Sequence, residues 1–379
     1  MTFVSVRVVD SGGRQGVSWA EGLRFKLPRA LLERIGWLSG LKGNGDLAIP
    51  VGPADVTAAD AEQLRDFAAF TESPPATARL PVSYQRIPAW VRAAAASFIG
   101  RRQRHRVDSW AAFPGWPLDL SADLLGDLAG APRIDYGVRT PVILTHDIDS
   151  AEGLRNLVEL FLPIEESAGA RSTNYVVPCA YALDHGLLSA VKRRDHHIGV
   201  HGYDHSNRTP FAGDDERRKR LDGARPFSQR YGAAGYRAPS LLRTRALIRD
   251  LASRYRHDSS IPTSGGLFPV PNNGCASARP FVMEGIVEIP LTLPRDGSLR
   301  FLGYSPRDIA TLWIESADTI ARSGGIVVLL THCEARFSGA PVMLDAYAQF
   351  VEHIRDASTR FAFHAPDDLL PRIAHANAV

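Results

Sequence analysis

Pro141-Val-Ile-Leu-Thr-His-Asp-Ile-Asp149 and, further along, His197-Ile-Gly-Val-His-Gly-Tyr-Asp-His205 are the stretches on which the reading of the fold turns. Each begins as a short apolar run and ends in residues able to hold a metal or move a proton. A short unbroken apolar run suits a strand buried on both faces, as in a parallel sheet. In α/β enzymes the polar ends of such strands carry the chemistry. His-x-x-x-His predicts two imidazoles on one side of a helical turn, and Asp-x-Asp on a strand puts both carboxylates on one face. A buried carboxylate without a partner is costly. A divalent cation is the natural partner, with positions left open for water and substrate.

Working outward, apolar runs at 141–144, 173–177, 197–200, 234–236, 255–258, 286–291, 326–330 and 361–363 read as strands. Helical spacing fills 151–167, 183–194, 214–231, 244–254, 306–322 and 342–356. This alternation predicts a parallel β/α barrel or a doubly wound sheet over residues 140–375. Residues 259–273 interrupt it with a Pro/Gly/Asn-rich excursion, read as a functional loop at the rim. Residues 1–80 form a small α+β unit, with strands at 3–9 and 47–51 and helices at 29–38 and 58–71. Ser73-Pro-Pro-Ala-Thr-Ala78 then marks a boundary. Residues 81–139 are a linker and helical lead-in. Its helix at 88–106 ends in Arg101, Arg102, Arg104 and Arg106, cations that complement a helix C-terminus in solvent. Trp110, Phe113 and Trp116 follow, to pack across the domain junction or line a sugar-binding cleft, with packing favoured.

The 379 residues carry a formal charge of only +3, which argues against a nucleic-acid partner. No apolar run is long enough to span a membrane. Met1-Thr-Phe-Val-Ser-Val-Arg7 lacks the pattern of a signal peptide, so cytoplasmic residence is expected. Cys179, Cys275 and Cys333 are scattered, which excludes a disulfide framework and a cysteine zinc site. There is no GxSxG elbow, P-loop or Rossmann fingerprint.

The polar ends of the predicted strands fall in order: His146-Asp147-Ile-Asp149, His201 and His205, Tyr236-Arg237-Ala-Pro239, Asp258, Thr331-His332 and His364. This series resembles the polysaccharide deacetylases with a NodB homology domain, carbohydrate esterase family 4. Their Thr-Phe-Asp-Asp-Gly motif is replaced by Thr145-His-Asp147-Ile-Asp149. His-Ser/Thr-x-x-His is matched by His201 to His205, Arg-x-Pro by Arg237-Ala-Pro239, and Leu-x-His by Leu330-Thr-His332. The resemblance spans about residues 140–370. It implies a distorted parallel barrel of seven or eight β/α units and leaves the small N-terminal α+β domain unexplained.

It also implies a metal-dependent deacetylase in which Asp149, His201 and His205 hold the ion. Zinc is the expected metal, with cobalt, nickel or manganese as alternatives. Asp147 is the expected base, paired with Arg237, and His332 the acid that protonates the leaving amine. Ile148 splits the family's adjacent aspartates; strand alternation favours this division, while Asp147 as ligand with Asp149 structural stays open. Tyr203, Pro239, Asp258, Leu330 and His364 are candidates for substrate contact. His146 is expected behind the site, Asp204 as a turn cap, and His196 and His197 as structural.

The expected substrate is an N-acetylated sugar, such as a lipid- or nucleotide-linked intermediate of surface polysaccharide assembly. Trp110, Trp116 and Phe268 would be its stacking platforms. A non-sugar linear or cyclic amide is the first alternative. An inactive barrel binding a glycan or a partner protein is the second.

Overall fold

Alternation along buried parallel strands builds the frame that holds the site. The computed structural model describes residues 56–67, 69–71, 73–80, 84–104, 118–263 and 274–376, with short pieces at 3–8, 19–20, 24–28, 33 and 49–51. Near the N-terminus β1 (Phe3–Val8) pairs antiparallel with β2 (Arg24–Pro28) and parallel with β3 (Ile49–Val51). The sequence reading placed no strand at β2, and its helix at 29–38 lies, but for Glu33, outside the described residues. Helices α1 (Ala58–Phe67), α2 (Ala89–Gln103) and α3 (Ser121–Ala129) lead into the main sheet. Val56, Ala61 and Leu64 join Leu124 and Leu128 in the main apolar core, so α1 packs with α3.

The main sheet contains β4 (Thr140–Ile148), β5 (Thr173–Val176), β6 (His197–Val200), β7 (Gly235–Tyr236), β8 (His257–Asp258), β9 (Phe281–Met283), β10 (Ile286–Glu288), β11 (Val327–His332) and β12 (Phe361–Phe363). Its order is β11-β4-β5-β6-β7-β8-β10-β9, with β12 also on β4, and only the β9–β10 pair is antiparallel. The gap between β10 and β11 is bridged by Leu293 N donating to the Val328 carbonyl and Val328 N donating to Thr292 Oγ1. The sheet therefore curls into an incompletely closed barrel, the distorted form expected.

Helices α4 (Ala151–Asn156), α5 (Leu162–Ser167), α6 (His185–Arg193), α7 (Asp214–Gly223), α8 (Arg225–Tyr231), α9 (Arg245–Leu251), α10 (Asp296–Leu302), α11 (Pro306–Ser323), α12 (Pro341–Asp356) and α13 (Pro366–Ala376) surround it. The expected single helix at 151–167 passes through a π turn, Leu157–Phe161. Pro163 follows it and cannot donate to the helical ladder. Pro226 likewise sits in the first turn of α8, where 214–231 divides in two.

The period of two sorts the β4 side chains. Val142, Leu144 and Ile148 join the core under the helices, and His146 packs on Phe161 and Tyr347 there. Ile143 instead meets Val328 and Leu330 in a second apolar cluster inside the barrel. Asp147, in step with Ile143, is thereby left on the interior side at the strand's end.

A candidate metal centre at the barrel rim

Three loops leave the ends of β4, β6 and β11 and converge. His201 directly follows β6, its backbone N–H donating to the Val176 carbonyl. The stretch to His205 is a loop and not the helical turn predicted. Gly202 at φ +68° and His205 at φ +55° both adopt the left-handed conformation. Glycine suits the first position twice over, because a Cβ there would lie 2.5 Å from the Pro239 ring. The reversal still places the two imidazoles edge to face, centroids 5.1 Å apart.

Asp149 completes the group. Its Oδ1 lies 3.5 Å from His201 Nε2 and 3.4 Å from His205 Nε2. Ligands on a tetrahedral ion with bonds of ~2.0–2.1 Å stand about 3.3–3.4 Å from one another. The Asp149 Oδ1 atom is buried and accepts no hydrogen bond, a vacancy in bonding that a cation would fill. Among the described residues this is the one cluster of His, Cys, Asp or Glu that could hold an ion.

Both imidazoles present Nε2 to Asp149 Oδ1. His201 Nδ1 is 3.1 Å from the Arg237 carbonyl, which can only accept, so Nδ1 carries the proton and Nε2 offers its lone pair. His205 Nδ1 is 2.8 Å from the Tyr84 hydroxyl, which orients the second ring. Burial lowers His201 to about 4, against the pull of Asp147 and Asp149, so it is neutral near pH 7. Burial would raise Asp149, but His205, His201 and His332 together bring it down to about 2.

Asp147 lies beside this group in another setting. Its Oδ1 accepts from Arg237 Nη1 at 3.0 Å and its Oδ2 stands 3.5 Å from His201 Nε2. Arg237 is fully buried over the Tyr175 ring and also donates to Thr145 Oγ1, the Ser259 carbonyl and Ser259 Oγ. The guanidinium is thus held by several partners and meets the Asp147 carboxylate. Ile148 between the two aspartates is fully buried in the helical core.

His332 ends β11 level with Asp147. Its Nδ1 is 2.8 Å from Asp296 Oδ1, and its backbone N–H donates to Asp296 Oδ2 at 2.8 Å. Burial would lower this imidazole, but the Asp296 carboxylate and its hydrogen bond raise it to about 9. It is therefore a cationic acid near pH 7. Glu334 accepts from Asp149 N and Ser150 Oγ, and burial and the Asp149 charge raise it to about 7.

The sequence reading missed Tyr84, Asp296 and Glu334. None stands in a motif, and Tyr84 lies far from the other parts in sequence. The five expected substrate contacts are not gathered at the site. Tyr203 packs its ring against Gly223 and under Arg220. Pro239 is buried against Gly202, supporting the histidine loop. Leu330 is fully buried in the interior cluster beneath His332. Asp258 is fully buried, accepting from Ser260 Oγ, and its pKa is raised, first by burial. His364 is not at the rim, because β12 pairs with the first residues of β4. It sits level with Ile143, about 13 Å below Asp147 at ~3.3 Å per residue.

Asp204 caps its own turn, accepting from Ser206 N and Oγ, and pairs with Arg220. His146 faces away from the ligands, bonded to Thr331 Oγ1 and Glu165. His196 is buried beside Glu165 and Glu166. Trp110, Phe113, Trp116, Phe268 and most of the 259–273 excursion lie outside the described residues.

No family model matches the chain, and no curated protein matches it in sequence. Solved structures do match its fold. A protein named as a polysaccharide deacetylase from Mycobacterium smegmatis aligns with TM-score 0.53 and 20% identity, over 65% of this chain and 94% of that one. The Puue allantoinase aligns with TM-score 0.51 and 16% identity, over 68% and 97%. A protein named as a polysaccharide deacetylase from Pseudomonas aeruginosa PAO1 gives 0.50 and 14%, over 69% and 98%. The chain thus has the NodB-like barrel fold of the polysaccharide deacetylases.

Proposed function

We propose that the protein is a metal-dependent amide hydrolase that removes the N-acetyl group from an N-acetylated sugar. The observation that carries this reading is the buried, unbonded Asp149 Oδ1 facing two imidazole nitrogens, with Asp147 and His332 beside it. Asp149, His201 and His205 would hold the ion, zinc by their donor set. When bound, such an ion makes water a better nucleophile and draws charge from the scissile carbonyl.

The remaining steps belong to the side chains. Asp147, oriented by Arg237, accepts a proton as water oxygen bonds to the carbonyl carbon. His332 gives its Nε2 proton to the amide nitrogen as the C–N bond breaks, because an amide anion is too poor a leaving group to depart. Acetate and a free amine result. Asp296 keeps His332 protonated until that step. Residues 140–375 carry this chemistry, and the 81–139 lead-in adds Tyr84; within residues 1–80, α1 packs against α3 in the main core.

A small activated sugar, an intermediate of surface polysaccharide assembly acted on in the cytoplasm, is the substrate we favour. The shared fold with an allantoinase favours a second reading, a non-sugar amide. Purified protein should release acetate and amine in equal amounts from small N-acetyl sugars, and Asp147→Asn should slow this by about 10²–10⁴-fold. Activity on polymeric chitin or peptidoglycan alone would refute the sugar intermediate. Turnover of cyclic amides alone would establish the second reading.

A further inference from the structure

Helix α2 turns outward a face that the proposed chemistry does not use. Among the described residues eight large hydrophobic side chains are exposed, and four lie close together: Ile87 (37%), Trp90 (75%), Phe98 (62%) and Ile99 (43%). The others, Val138, Leu160, Val282 and Val342, are scattered aliphatics. Trp90, Ala94 and Phe98 recur every fourth residue and share one helix face, and Ala95 and Ile99 continue the apolar surface around the helix. All five are exposed.

The opposite face is anchored. Gly100 approaches the Phe301 carbonyl of α10 so closely that a Cβ would collide with it. Arg104 Nη1 donates to the Gly303 carbonyl at 2.7 Å.

The helix itself carries charge of one sign. Helix α2 contains no acidic residue. Exposed Arg86 lies at one end and exposed Arg101 and Arg102 at the other, and no ion pair joins these three to a carboxylate among the described residues. The Arg102 guanidinium lies 5.1 Å from the Phe98 ring centre, next to the apolar strip. Aromatic residues set among arginines, without carboxylates, suit the boundary between lipid headgroups and acyl chains.

We propose that this face of α2 docks on the surface of an anionic lipid bilayer. The docking would bring the reaction site to the membrane. Tyr84, just before α2, reaches His205, and α10, on which α2 packs, supplies Asp296 to His332. Resting on the hydrolase reading above, this narrows the substrate class to an N-acylated sugar carried on a membrane lipid.

The test is flotation of the full-length protein with vesicles of phosphatidylcholine alone and of phosphatidylcholine mixed with phosphatidylglycerol. The protein should float with the mixed vesicles and far less with the neutral ones. Trp90→Glu combined with Phe98→Glu should cut the bound fraction by about tenfold or more. Arg101→Gln and Arg102→Gln should each weaken binding to the anionic vesicles by about fivefold. All these variants should keep the melting curve and the wild-type rate on a water-soluble substrate, which separates lost docking from lost folding. Wild type that does not float, or a double-glutamate variant that floats equally well, overturns the proposal. So does a wild-type dimer that Trp90→Glu converts to monomer, since the face would then belong to a second copy. Flotation reads binding without turnover: an inactive protein that floats defeats only the hydrolase reading, and an active one that does not float defeats only the docking.

Discussion

Asp296→Asn should turn the proposed acid His332 into a neutral imidazole while leaving it in place. Asp296 is fully buried at the start of α10, and its carboxylate takes the His332 ring N–H, the His332 backbone N–H and Ser338 Oγ. An asparagine can still accept from the ring, so the imidazole keeps its orientation. The charge is lost, and with Oδ2 the acceptor of the His332 backbone N–H. His332 stands at about 9 against an ordinary value of 6.5, and at 1.36 kcal/mol per unit this is worth about 3 kcal/mol. Burial acts downward while the Asp149 and Asp147 charges still act upward, so without the Asp296 carboxylate the group falls below about 9. At neutral pH the protonated fraction, nearly complete in the wild type, is reduced.

The assay is the pH dependence of kcat/KM on two substrates, an N-acetyl amide and an acetyl ester with a nitrophenolate leaving group. Wild type should lose amide hydrolysis as pH rises through about 9, and the variant should lose it at lower pH, with a lower rate at neutrality. The ester needs no proton on its leaving group and should be nearly unaffected. An alkaline limb that does not move, or an equal loss on the ester, would refute the acid role. Stability follows the same sign. A folded-state pKa raised above the unfolded one contributes stability in full below pH 6.5, and this is lost as pH climbs through about 9.

Two further outcomes follow from the site and its surroundings. Tyr84→Phe removes the partner of His205 Nδ1 and should weaken metal binding by about tenfold, read by competition with a chelating dye; unchanged affinity would mean the hydroxyl does not orient the ring. Burial, aided by Arg237 and Arg256, lowers His257 to about 3. The unfolded chain then binds the extra proton, so stability should fall by up to about 1.4 kcal/mol per pH unit below pH 6.5. His257→Gln should flatten that limb in urea titrations, and an unaltered slope would assign it to other groups.

The barrel was legible because its central strands are buried on both faces, which leaves unbroken apolar runs such as Val142 to Leu144 and Val327 to Leu330. The juxtaposition of Asp149, His201 and His205 was legible too, through motifs at strand ends. The route between the histidines was misread, because a spacing of four suits a helix as well as a loop with Gly202 and His205 in the left-handed region. The substrate contacts were misjudged for a related reason. Leu330 and Asp258 are adjacent to functional strand ends, but alternation and packing turn them into the interior. His364 fell short because register cannot be read from a single strand. Tyr84 and Asp296 reach the site only through tertiary contacts, and nothing local in their neighbours marks them.

The central claim is that Asp149, His201 and His205 hold one divalent ion. Protein stripped with a chelator, dialysed against zinc and measured by elemental analysis tests it most directly. Wild type should retain one equivalent, and His201→Ala and Asp149→Asn should retain far less while still folding. Stripped wild type that takes up no ion, or variants that take up the same one equivalent, would contradict it.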